Sequence, residues 1–112
     1  GVRTRNDVPI LIAEDSPLLN KLIVDSLHKA GYMNVTSTEN GEEAWKTLDQ
    51  AVTEDRISSV ADIVITDIEM PMMDGHRLTK LIKSTPATSD IPVIIFSSLV
   101  NEEMRRKGEI LE

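Results

Sequence analysis

The chain has 112 residues, no cysteine, and 19 acidic against 12 basic side chains, for a formal charge of −7. That length fits one domain with one core, the lack of cysteine excludes disulfides and thiolate metal sites, and the acidity argues against broad nucleic-acid binding, which needs a basic surface. At 40% hydrophobic the chain is too apolar to be wholly disordered, yet its longest apolar runs fall far short of the ~20 residues that span a bilayer.

Gly1 to Asp7 is polar and aperiodic and reads as a linker or tail. No charged start followed by a long apolar run marks a secretory signal, so a cytoplasmic location is expected. Val8-Pro9-Ile10-Leu11-Ile12-Ala13 is a short apolar run without alternation, the signature of a strand buried on both faces. Glu14-Asp15 ends it. Ser16 before Pro17 predicts a helix N-cap with proline at the first helical position. Leu18, Leu19, Leu22, Ile23 and Leu27 recur at helical spacing, with Asn20, Lys21 and Asp25 between them, and Gly31 stops the helix.

The alternation repeats. A short strand is expected near Asn34–Thr38, then a helix capped by Asn40 with Glu43 three residues on, and Ala44, Trp45 and Leu48 facing inward. Gln50 to Ser59 is polar and predicts a frayed helix end and a loop. Ile63-Val64-Ile65-Thr66 is the next buried strand and stops at Asp67. Met70 to Gly75 reads as a loop from its Pro and Asp-Gly content. Leu78, Leu81 and Ile82 mark a third helix, Pro86 to Asp90 a turn, and Pro92 to Phe96 a fourth strand followed by Ser97-Ser98. Asn101 to Gly108 is charged and predicts a helix with a solvated face. Strands alternating with helices make an α/β protein with a parallel sheet and helices on both faces. Ligands of such sheets bind at the carboxyl ends of the strands, where strand order reverses.

Those ends carry the chemistry: Glu14-Asp15 on the first strand, Asp67 on the third, Ser97-Ser98 on the fourth. Carboxylates crowded in one crevice repel each other. A divalent cation resolves the repulsion, and hard oxygen ligands suit Mg²⁺, which commonly shares its shell with a phosphoryl group. An Asp carboxylate can then act as a nucleophile toward phosphorus, with a strand-end hydroxyl bonding a phosphoryl oxygen. His28 and His76 lack paired ligand spacing and are expected at the surface. Met70, Met72 and Met73 are expected to pack around their loop. The acids near Asp67 lack the alternating pattern of an EF-hand loop.

The chain resembles the response-regulator receiver domains of two-component signalling. The matching segments are Glu14-Asp15, Asn40-Gly41-Glu42-Glu43-Ala44, the block from Asp67 to Gly75, and Ile91 to Ser98. The resemblance implies a flavodoxin-like, doubly wound parallel sheet. It implies Asp67 as phosphoacceptor, Ser97 as switch hydroxyl, and Mg²⁺ held by Glu14, Asp15, Asp67 and the backbone carbonyl of Glu69. It implies a histidine kinase as phosphoryl donor, with a small acyl phosphate as substitute, and no enzymatic turnover of another substrate. Ile12 to Leu19 is similar to chemotaxis receivers of the CheV type, where a receiver follows a coupling domain. Through such a domain outside this chain the partner would be a chemoreceptor–kinase array. No nucleic acid or membrane is expected as a partner.

Under this resemblance residues 1–7 are a linker or tail and residues 8–112 an incomplete receiver, truncated after the fourth βα unit. The family's fifth strand and helix, with the lysine that pairs with the phosphoryl group, have no counterpart, and Lys107 is not that lysine by position. Impaired phosphorylation is therefore expected, as is a dimer or domain-swapped oligomer formed through the exposed fourth strand. Two alternatives differ in class. One is a receiver-like interaction module that is not phosphorylated. The other is a phosphohydrolase of the haloacid-dehalogenase kind, whose Asp-x-Asp pair Asp67-x-Glu69 resembles but whose further catalytic acids and lysine are not identifiable.

Overall fold

The structure, a computed structural model, describes residues 4–97. The expected helix at 101–108, Ser98 and Lys107 lie outside that range. Four strands, β1 (Ile10–Ala13), β2 (Val35–Thr38), β3 (Ile63–Asp67) and β4 (Val93–Phe96), form one parallel sheet in the order β2-β1-β3-β4. The helices are α1 (Pro17–Lys29), α2 (Gly41–Thr53), α3 (Ile57–Val60) and α4 (Gly75–Ser84).

The helix starts follow the sequence. Ser16 Oγ accepts from the Leu19 amide at 3.2 Å, and Pro17 needs no acceptor. Asn40 Oδ1 accepts from Glu43 N at 2.8 Å, and Asp74 Oδ1 from Arg77 N at 2.8 Å. Gly31, at φ 96°, ends α1 in the left-handed region, where the Tyr32 amide reaches back to the Leu27 carbonyl.

Topology sets the layers. The chain steps one way from β1 to β2, then back across β1 to β3 and on to β4. Right-handed crossovers send α1 to one face of the sheet and α2 and α4 to the other. Leu11, Ala13 and Val64 meet Ala44, Leu48, Leu78 and Ile82 in a core on the α2–α4 side. Trp45, Met70 and Met73 pack against its margin, half-buried, as the inward and loop-packing expectations require.

Ile12, Ile65 and Ile94 lie side by side in register on the other face. Ile12 is fully buried, Ile65 half-buried and Ile94 53% exposed among the described residues, because α1 lies over the β1–β2 half. For the same reason α1 has no fully buried residue. Its leucine stripe is split, with Leu18 70% and Leu22 52% exposed.

Three local features differ from the sequence reading. Arg5–Asp7, read as tail, is a 3₁₀ turn: Arg5 Nη1 donates to the Ala30 carbonyl at 2.8 Å, and its guanidinium lies over the Tyr32 ring. The stretch read as a loop up to Ser59 contains the start of α3, one helical turn too short to show a period. Met72 is 71% exposed, at φ 71°, rather than packed around its loop.

Candidate functional site

Glu14 and Asp15 follow the last residue of β1, Asp67 ends β3, and these strands are neighbours at the point where strand order reverses. One carboxylate oxygen from each of Glu14, Asp15 and Asp67 lies within 4.8 Å of the others. The sequence singles out these acids, and the fold brings them together. Their environments differ: Glu14 and Asp67 are buried, whereas Asp15 is exposed.

Glu14 is fixed at its backbone and only half satisfied at its side chain. Its amide donates to the Thr38 carbonyl at 3.1 Å, and its Oε1 accepts from the Ser16 amide at 3.2 Å. Glu14 Oε2 is buried without a hydrogen-bond partner. Burial pushes the Glu14 carboxyl up to about 8, helped by the neighbouring Asp67 and Asp15 carboxylates, against the pull of the Ser16 amide. A buried acid oxygen without a donor, beside two further carboxylates, is a donor set for a hard cation.

Asp67 is held from three sides. Its Oδ1 faces the Glu69 amide at 3.4 Å, and its carbonyl accepts from Thr66 Oγ1 at 2.9 Å. The next amide, Ile68 N, donates to the Phe96 carbonyl at 2.9 Å. Gly75 is required by close approach: a Cβ there would collide with the Asp67 carbonyl, so α4 seats on the strand end only without a side chain. Ser97, half-buried, follows Phe96, which stands in register with Asp67. Glu69 lies in the loop with its side chain exposed and its amide against Asp67. His76 is exposed and His28 half-buried, and neither joins the acid cluster.

A cleft of about 390 Å³ opens beside the acids, lined by Glu14, Asp15, Lys21, Glu39 and Glu43. Asn20 and Thr38, which also line it, carry no role in the sequence reading. The only signal for Asn20 is a polar residue inside an apolar helical stripe, one turn past the acid pair.

A parallel sheet with this strand order, and acids at the reversal point, defines an α/β domain of the flavodoxin-like class. A family model for the response regulator receiver domain matches residues 10–111, and the chain belongs to that family. It is 36% identical over 99 residues, 88% of its length, to the gliding motility regulatory protein of Myxococcus xanthus. It is 34% identical over 100 residues, 87% of its length, to chemotaxis protein CheV1 of Helicobacter pylori. The chain spans only 12% of the first protein and 30% of the second. Among solved structures it is similar to the N-terminal domain of a response regulator receiver protein from Methanoculleus marisnigri JR1. That likeness has TM-score 0.65 and 33% identity, and covers 93% of this chain and 79% of the other. Among the described residues no helix is long and apolar enough to cross a membrane.

Proposed function

We propose that this domain is a cytoplasmic phosphoacceptor switch of two-component signalling, with Asp67 as the residue that takes the phosphoryl group. One observation carries the reading: three carboxylates from two neighbouring strand ends bring one oxygen each within 4.8 Å of the others, and the buried Glu14 Oε2 among these side chains has no hydrogen-bond partner. Glu14, Asp15 and Asp67, with the backbone carbonyl of Glu69, are the residues that would hold Mg²⁺. When bound, Mg²⁺ supplies the positive charge that offsets the carboxylate and the incoming phosphoryl oxygens.

The chain's own groups do the rest. An Asp67 carboxylate oxygen attacks phosphorus, and the bond from phosphorus to the donor breaks. With a phosphohistidine of a histidine kinase as donor, the imidazole leaves with the bond's electron pair. The Glu69 amide, already against Oδ1, and the Thr66 bond to the Asp67 carbonyl keep the carboxylate oriented. Ser97, one residue beyond the register partner of Asp67, is the hydroxyl in line to meet a phosphoryl oxygen. Its turning toward the phosphoryl group would shift the population between two arrangements of this rim.

The likeness to CheV1 supports a receiver spanning residues 8–112 that works beside a coupling domain at a chemoreceptor–kinase array. Ile94, exposed among the described residues and on the outer strand of their sheet, supports self-association through β4, which light scattering checks. The decisive experiment is phosphorylation of the whole protein carrying this domain, by acetyl phosphate with Mg²⁺. A hydroxylamine-sensitive label that disappears in Asp67→Asn bears the reading out. A label that persists in Asp67→Asn, or steady hydrolysis of a generic phosphomonoester, overturns it.

A further inference from the structure

We infer that Asn20 is a positioning residue for the acid cradle: its carboxamide ties the backbone of Glu14 to the end of β2 and so sets the affinity of the site for a divalent cation. The inference rests on the cation reading of that site. It adds a residue that touches neither cation nor phosphoryl group.

The β1–β2 ladder ends at the pair Ala13 and Thr38. Beyond it, the Thr38 carbonyl accepts the Glu14 amide at 3.1 Å. Asn20 Nδ2 donates to that same Thr38 carbonyl at 3.2 Å and to the Glu14 carbonyl at 3.1 Å. The Thr38 hydroxyl, buried, donates back to the Ile12 carbonyl at 2.7 Å. Asn20 Nδ2 thus bridges the carbonyl that links Glu14 to Asp15 and the carbonyl that ends β2. The peptide after Glu14 leads directly into Asp15, so fixing the Glu14 carbonyl fixes the direction in which both carboxylates leave the strand.

Charge and position make opposite predictions at this residue. Asn20→Asp keeps the shape but removes both donors and sets an acceptor oxygen against two carbonyls. Simple electrostatics has the added negative charge tightening a cation. Loss of the clamp loosens it. Asn20→Leu removes the donors without adding charge. Thr88→Ala is the control for general damage. Its hydroxyl makes a comparable buried bond to the Ile82 carbonyl at 2.7 Å, after α4 and before β4, at the opposite end of the sheet.

The experiment is calorimetric titration of the protein with Mn²⁺ alone, beside melting curves of each variant. Expected is a weakening of about tenfold or more in both Asn20 variants, the scale on which residues supporting metal ligands act. Thr88→Ala melts earlier but binds Mn²⁺ like the parent. Unchanged or tighter binding in Asn20→Asp overturns the inference, as does equal weakening in Thr88→Ala. Should Asn20→Leu fail to fold, Asn20→Asp alone decides. A parent that binds no Mn²⁺ overturns the cation reading itself and the inference with it. Binding by the parent that Glu14→Gln weakens upholds the reading whatever Asn20 does.

Discussion

Glu14 and Asp67 meet as a buried acid pair across the junction of β1 and β3, with one carboxylate oxygen of each within 4.8 Å of the other. Two buried carboxylates held this close repel each other, which favours the protonated form of Glu14. The Glu14 carboxyl is held up at about 8, by burial first and by Asp67 second.

Stability of the metal-free protein should therefore depend on pH with a sign opposite to that of an ion-paired acid. The folded form binds the Glu14 proton up to about pH 8, while the unfolded chain releases it near the ordinary glutamate value of 4.5. Between those values the native state holds more protons than the unfolded state, so stability falls as pH rises. Melting in chelator should drop between pH 5 and pH 8.5. Glu14→Gln, neutral throughout, should flatten the curve and melt about 4 °C or more above the parent at pH 8, the shift that ~1 kcal/mol produces in a domain of this size. A parent curve that rises over this window contradicts the assignment.

Cation binding should run the other way. A divalent ion must displace the proton from Glu14, so Mn²⁺ affinity should rise with pH over the same window and proton release should accompany binding. Calorimetry in buffers of different ionisation enthalpy measures that release. Removing the ion with chelator should restore the metal-free melting profile.

Gly75→Ala should destabilise the domain by about 1–3 kcal/mol, the ordinary cost of forcing atoms into a filled site. The added methyl would meet the Asp67 carbonyl, which is backbone and cannot swing aside. Denaturant midpoints measure the loss, and the displaced strand end should also reduce labelling of Asp67 in the whole protein.

Two leucines on different helices should respond very differently to truncation. Leu48 on α2 is fully buried, and Leu48→Ala should cost about 2–5 kcal/mol. Leu18 on α1 is 70% exposed, and Leu18→Ala should stay within about 0.5 kcal/mol of the parent. Urea unfolding of both variants checks the pair.

The contrast between those leucines marks where sequence stops being informative. Apolar recurrence at 18, 19, 22, 23 and 27 correctly announces a helix, but it cannot say how much of the stripe finds a neighbour. That depends on crossover handedness and on how far α1 reaches over the sheet. The strands are legible because runs such as Ile10–Ala13 and Ile63–Asp67 are short, apolar and cut off by acids. The convergence of Glu14, Asp15 and Asp67 follows from strand order, so a parallel α/β reading anticipates it. The division of labour among them does not follow: which acid is buried and which exposed is decided by the Thr38 and Ser16 contacts around Glu14. Asn20 shows in the sequence only as a polar break in an apolar stripe, because its partners are backbone carbonyls, which residue identity does not record.

The last bonds beyond each ladder point in opposite directions. Glu14 is tethered through its amide to the end of β2, and the residue after Asp67 is tethered to the end of β4. Among the described residues β2 and β4 are the two outermost strands, so each half of the acid pair is wired to a different side of this sheet. A partner gripping one flank would reach the acid pair first through Glu14, and one gripping the other flank first through Asp67, giving the site two separate handles.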